Sequence, residues 1–289
     1  KPKVPKSDLA SMGVYVFSKK SLRRWLSEDL VDFGANVIPA MLDAGARVFG
    51  YRYNGYWQDV GTIQSYWEAN MALLEDSPEL DLYDKEWVIH TRSEERAPAK
   101  VGPTAQVHRS LISHGCVIDG TVVNSVLSPG VRVDVGAVVR DSIVMFDSVI
   151  RSGAVIDRSI LDKEVVVGPG AIVGDGPYDD RPNKGEPNRL NTGITVVGKR
   201  AVIPRGARIG RNVKIGADVR TTDFVKRVIK SGDSVRAVVR VGGVEVAATA
   251  IALQSGAKGE VIRLANAGSR KTLVGRVLRR GEVEVLDAY

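Results

Sequence analysis

The stretch IGRNVKIGADV, residues 209–219, decides how the middle of this chain folds. Ile209 and Ile215 stand six residues apart, Ile203 stands six before them, and a glycine follows both Ile209 and Ile215. The same spacing recurs in Val167 and Val173, in Val144, Ile150 and Ile156, and in Ile112 and Ile118. A period of six is neither the 2 of a paired strand nor the 3.6 of a helix. It gives one short strand and one corner per repeat, with each aliphatic side chain pointing into a continuous stacked core. Residues 101–222 are therefore expected to form a parallel β-helix of hexapeptide repeats.

Three features inside this region follow from the repeat. The run VGPGAIVG (167–174) looks like a glycine-rich nucleotide loop, but its glycines fall in register with the period, so it reads as a corner. No GxxxxGK[ST] occurs, which excludes a Walker-type phosphate loop. The polar stretch GDGPYDDRPNKGEPNRLNTG (174–193) interrupts the repeat and is expected to protrude as a solvated loop. His108 and His114, six residues apart, are the candidates for the base of a hexapeptide-type acyltransferase, but their spacing puts them on adjacent faces of one coil, and each reads more simply as a solvent-facing residue.

Outward from the repeat, the pattern changes on both sides. Residues 1–76 alternate strand-like pieces (GVYVF, ARVFGYRYNG) with helix-like ones (KKSLRRWLSEDL and the run after Thr62), and ANVIPAMLDAG adds an apolar stretch: an α/β fragment. Residues 77–100 read as a linker, with WVIH its one strand-like piece. After Ser231 the period becomes two, and RAVVRVGGVEVAA reads as a hairpin turning at Gly242-Gly243. Residues 223–289 are thus expected to be a small all-β module.

Composition narrows the function classes. The chain has 289 residues, 44% hydrophobic and 26% charged, and no apolar run long enough for a membrane span. Its net charge of +7 is spread out, without the aromatic interleaving of a nucleic-acid groove. Neither a membrane nor a nucleic acid is an expected partner. Cys116 is alone, so no disulfide can form within the chain, and a cytoplasmic location is expected. The start, KPKVPKSDLASMG, has no signal-like apolar core and reads as cut from a longer protein.

The candidate site centres on YNGYWQDVGTIQSYWEANMALLE (53–75). Asp59 has two readings. It can form an Asx turn ahead of Thr62, which caps the helix that follows. Alternatively, a carboxylate among aromatics can hold a metal ion or a phosphate-linked substrate in a cleft. Local spacing alone favours the turn.

The blocks SDLASMGVYVF, VDFGANVIP, YWQDVGTIQSYWEANM and LNTGITVVGKRAVIPRGARIGRNVKIG, in this order, closely resemble the C-terminal half of bacterial ADP-glucose pyrophosphorylase, the glucose-1-phosphate adenylyltransferase of glycogen synthesis. The resemblance covers residues 1 to about 235. It implies a left-handed coil for the β-helix, a homo-oligomer (a homotetramer in the family) formed through it, and conversion of ATP and glucose 1-phosphate to ADP-glucose and pyrophosphate. Asp59 then matches the family's ligand for the catalytic Mg2+, and Trp57 its neighbouring aromatic. Ser11, Tyr15, Asp32 and Phe33 match residues lining the glucose 1-phosphate pocket, and Lys1 matches a lysine that neutralises the sugar phosphate. The family's glycine-rich nucleotide loop and second metal-binding aspartate would lie upstream of Lys1, so the 289-residue chain alone is expected to be inactive.

The tail VRVGGVEVAATAIALQSGAKGEVIRLANAGSRKTLVGRVLRRGEVEV (239–285) instead resembles the C-terminal module of the flagellar basal-body P-ring formation protein, a periplasmic chaperone. Two alternatives to the enzyme follow: a chaperone led by the tail, or a non-catalytic oligomerisation scaffold.

Overall fold

The computed structural model describes residues 9–26, 29–90, 94–177, 181–224, 227–241 and 244–288. Its centre is a three-sided parallel β-helix. Each side is a sheet of six short parallel strands, stacked one per coil. The first side runs from Lys100–Val101 through Val117–Ile118 to Val202–Ile203, the second from Gln106–His108 to Arg208–Gly210, and the third from Leu111–Ile112 to Lys214–Ile215.

Inward-pointing residues stack in register. On the first side Ile118, Val133, Ile150, Val167 and Ile203 lie above one another, and on the second Val122, Val139, Ile156, Val173 and Ile209 do the same. These side chains form the main core and are almost fully buried. The six-residue series read from the sequence is therefore the core of the solenoid.

One corner departs from the period. Between the second and third sides the chain steps from Val139 to Val144 and from Ile156 to Leu161, one residue short of six. The shortened turn is made by a residue in the left-handed region: Arg109, Asn124, Asp141 and Arg158, at φ 42, 46, 49 and 43°. Asn and Asp tolerate this conformation better than Arg. A serine follows in the corner of each coil, and these serines form a buried ladder. Ser142 Oγ donates to the carbonyl of Arg140 at 2.6 Å and accepts from the amide of Ser159 on the next coil at 3.0 Å; Ser125 serves Ser142 in the same way. The corner amides, which the short turn leaves without strand partners, are thereby satisfied.

At this same corner residues 176–194 leave the solenoid. The described residues among them carry no strand, as the broken repeat implied, but they are not simply solvated. Leu190 and Ile194 are buried. Asn212 ties the segment down, donating to the carbonyl of Arg181 and accepting from the amide of Gly193. VGPGAIVG is a corner, as expected: Gly168 is so close to the next coil that a Cβ there would sit 2.7 Å from the amide of Arg205.

Before the β-helix, the described residues form helices and no strand. Helix α1 (Lys19–Trp25) is capped by Ser18, a π-helical turn (Phe33–Val37) by Asp32, and α2 (Ile38–Asp43) follows directly. Helix α3 (Ile63–Ala72) begins in a capping box between Thr62 and Ser65. The strands expected at GVYVF, ARVFGYRYNG and WVIH are not formed. Among the described residues these pieces meet no partner to complete a ladder, and a strand exists only through its pairing. Val14, Val16, Phe49 and Tyr51 remain 76, 98, 83 and 89% exposed.

After a short 3-10 turn (Thr221–Phe224), the C-terminal module is a closed barrel of five strands, Ser234–Val241, Val244–Ala252, Val261–Asn266, Thr272–Arg279 and Glu282–Ala288. Val241 pairs with Val244, the register a two-residue turn requires; Gly242 and Gly243 themselves lie outside the described residues. Alternate residues Val235, Ala237, Ala250, Ala252, Ile262 and Leu264 fill a separate core.

Candidate functional site

The predicted site residues fall into two groups. The first forms around the extended piece after Gly13 and the turn at 32–37. Ser11 Oγ lies 3.1 Å from Tyr15 Oη and accepts from the Gly13 amide, so the start of the segment is folded back on itself. Tyr15, Phe17 and Phe33 stack as a tilted aromatic trio with centroids 5.4–6.4 Å apart. Asp32 caps the π-helical turn, accepting from the Ala35 amide at 2.6 Å. The turn lies against Tyr15: a Cβ at Gly34 would sit at ordinary van der Waals distance, 3.5 Å, from the phenol oxygen. Ser11, Tyr15, Asp32 and Phe33 are thus brought to one place. Lys1 lies outside the described residues.

The second group is the loop before α3. Asp59 Oδ1 accepts from the amide of Gly61 at 3.0 Å, and Thr62 and Ser65 then cap the helix. The Asx turn is therefore present, and it occupies only one carboxylate oxygen. Trp57 is 45% exposed beside it. Next to them in sequence, Tyr56 and Gln58 line a groove of about 320 Å3 with Glu68, Ala72, Pro78 and Leu80. The hydrogen bonds of Asp59 and the ring contacts of Tyr15 stay within their own groups.

Asp59 fits a magnesium ion as one ligand of a larger shell. Magnesium keeps several waters and takes one or two carboxylates, and an exposed carboxylate with an uncommitted oxygen meets that need. Among the described residues no cluster of three or more Asp, Glu, His or Cys is assembled for a metal. His108 and His114 are both exposed on the β-helix, as solvent-facing residues would be.

What the sequence did not reveal is how α3 is held. Ile63, Tyr66, Trp67 and Met71 pack on Ile143, Ile160 and Ile194, aliphatic residues pointing outward from the third side of the β-helix. Trp67 Nε1 donates to the carbonyl of Asp141 at 2.8 Å, and the Arg158 guanidinium lies 4.5 Å from the Trp67 ring centroid. Burial against this face pushes the Tyr66 hydroxyl up from its ordinary value. The signal was present in SIL and SIV: Ile160 and Ile143 are aliphatic at positions beside the inward series.

Comparisons with known proteins bear on both halves. The Nucleotidyl transferase family model matches residues 1–76, and the GlmU-like, C-terminal hexapeptide model matches residues 97–197. The model for the chaperone for flagella basal body P-ring formation matches residues 188–285, beginning inside the β-helix and extending through the barrel. Proteins named glucose-1-phosphate adenylyltransferase are similar over most of the chain. That of Thermomicrobium roseum is 57% identical over 248 residues, covering 83% of this chain and 58% of the relative. That of Acetivibrio thermocellus is 45% identical over 241 residues (81% and 56%), and that of Pseudothermotoga lettingae 40% identical over 239 residues (81% and 56%). The chain thus spans a little over half the length of these curated relatives. No helix among the described residues is long and apolar enough to cross a membrane. Most of the chain is thus similar to proteins named glucose-1-phosphate adenylyltransferase, its first 76 residues match the Nucleotidyl transferase model, and its end matches the flagellar P-ring chaperone model.

Proposed function

We propose that the chain supplies the sugar-phosphate side of a cytoplasmic glucose-1-phosphate adenylyltransferase acting in glycogen synthesis. The reading rests on the 57% identity to the Thermomicrobium roseum protein of that name. We divide the chain into a nucleotidyltransferase segment (1–76), a linker (77–100), the β-helix (101–222) and the barrel module (223–289). In the reaction, a phosphate oxygen of glucose 1-phosphate bonds to the α-phosphorus of ATP, the bond from that phosphorus to the β-phosphate bridge breaks, and pyrophosphate leaves with the electron pair.

The residues divide this task. Tyr15 and Phe33 offer an aromatic wall for the sugar, with the Ser11 hydroxyl and the Asp32 carboxylate at its rim as hydrogen-bonding groups for its hydroxyls. Trp57 shields Asp59 from one side. Asp59 would hold Mg2+, which when bound neutralises the mutual repulsion of sugar phosphate and triphosphate. Lys1 would add a point charge to the sugar phosphate. The half-buried aliphatic row Val138, Val155 and Ile172 on the outer face of the second side of the β-helix is the surface on which a homo-oligomer would be built.

Titration calorimetry with glucose 1-phosphate in the presence of Mg2+ tests the reading. Binding should weaken roughly tenfold or more in Asp59→Asn. Asn retains the acceptor for the Gly61 amide, so the loop survives the change. Equal affinity in parent and variant would remove Asp59 from the site. A second reading is favoured by the match over residues 188–285: the barrel acts as a binding module in flagellar P-ring assembly. Co-purification of the chain with P-ring subunits would support it, and a mixture that elutes as separate components would not.

A further inference from the structure

From the contacts between α3 and the β-helix we infer that Arg158 is a positioning residue for the Asp59 loop, acting through Trp67. The inference takes its functional meaning from the proposed role of Asp59, but its geometry stands separately. The loop carrying Asp59 is joined to α3 by a compact set of bonds: Gly61 to Asp59, and the reciprocal pair Thr62 and Ser65. Where α3 sits therefore decides where the carboxylate points. Little more than one turn beyond Thr62, the same helix is fixed by Trp67, whose indole N–H reaches the Asp141 carbonyl and whose face is covered by Arg158.

Both anchors belong to the shortened corner. Asp141 and Arg158 occupy equivalent places on successive coils, each in the left-handed region. For arginine that conformation is unfavourable, and glycine would adopt it without strain. An arginine at this place is explained by what its side chain does. Its guanidinium meets Trp67 on one side, and its Nε donates to the carbonyl of Thr192 at 3.3 Å on the other. Arg158 thus ties the returning end of the 176–194 segment to the helix behind the Asp59 loop. A cation over the larger aromatic face of a tryptophan is the strongest of such pairings.

The strain and the cation make opposite demands on substitution, which gives the test. Amide hydrogen exchange is measured on the full 289-residue chain, without ligand, for the parent, Arg158→Gly and Arg158→Lys. Glycine relieves the corner and removes the cation; lysine keeps both strain and cation. The amides of Gly61 and Ser65 should exchange roughly tenfold faster in Arg158→Gly and within about threefold of the parent in Arg158→Lys. Val149 and Val166, whose amides lie deep in the β-helix ladder, should be unchanged in both. Trp67→Phe, which deletes the indole N–H and keeps an aromatic face, should reproduce the effect at Gly61 and Ser65. The inference fails if Arg158→Gly leaves those two amides at parental rates, if Arg158→Lys is as fast as Arg158→Gly, or if Val149 and Val166 accelerate with them. Because no ligand is present, a failure of Asp59 to bind glucose 1-phosphate leaves this result intact.

Discussion

The amide of Ser159 donates to the hydroxyl of Ser142, one coil away, at 3.0 Å, and both residues are completely buried. The hydroxyl is at once donor and acceptor, so it satisfies a carbonyl on its own coil and an amide on the next. Ser142→Ala removes both bonds and leaves the Ser159 amide buried without a partner. The expected loss is about 1–3 kcal/mol, read as a lower midpoint in urea unfolding followed by circular dichroism. An unchanged midpoint would mean that water enters the corner and replaces the hydroxyl.

Gly174 sits at φ 82° where the chain leaves the second side, and a Cβ there would lie 1.9 Å from the carbonyl oxygen of Asp157. Gly174→Ala combines left-handed strain with a backbone collision, so the coil must shift. A loss of at least about 2 kcal/mol is expected. Gly170, also at positive φ but facing open space, provides the control, since Gly170→Ala carries the strain without the collision. The two variants should differ in thermal midpoint, with Gly174→Ala the lower.

Acid should weaken the junction between the linker and the β-helix. Arg96 donates to both carboxylate oxygens of Asp147 and pairs with Glu94, and the first of these bonds holds the Asp147 carboxyl below its ordinary value. A carboxyl lowered on folding contributes stability above its unfolded pKa, and that contribution is lost as pH falls through the folded value. Asp147→Asn should therefore be slightly less stable than the parent at pH 7, with the difference shrinking as pH drops below about 4. Asn accepts the left-handed backbone at this position, φ 57°, so the comparison isolates the charge. Thermal midpoints across a pH series provide the measurement; a constant difference at all pH values would count against the ion pair.

Incubated alone with ATP, glucose 1-phosphate and Mg2+, the 289-residue chain should form no ADP-glucose, because it carries no glycine-rich loop to position the triphosphate. Chromatographic detection of ADP-glucose at rates above the uncatalysed background would contradict this.

The sequence was most readable where one physical constraint repeats. Ile150 and Ile156 had to recur at six because each fills the inward position on successive sides of one coil, and Thr62 announced a cap that the structure contains. The short corner was not readable. Its turn residues, Asp141 and Arg158, are not glycines, so nothing in the residue type advertises a positive φ. GVYVF misled for a related reason: alternation of Val14, Tyr15, Val16 and Phe17 specifies a strand only if another strand pairs with it. In the candidate site, Tyr15 and Phe33 lie together, whereas Asp59 reads locally as a turn residue and gains its proposed chemistry from family resemblance. Trp67 escaped notice because its partners lie on coils far along the chain.

The corner between the second and third sides also explains how this scaffold accommodates new sequence. Strand Ile172–Asp175 ends there and Thr195–Val197 resumes on the third side, paired in register with Ser159–Leu161 as though residues 176–194 were absent. The pairing with the following coil carries one irregularity, between Val173 and Asp175, and is otherwise kept. Register is set by the stacked neighbours, so the length of the excursion is invisible to the ladder. The solenoid thus behaves as a rack with an open slot, in which one segment can be exchanged for another while the rungs keep their places.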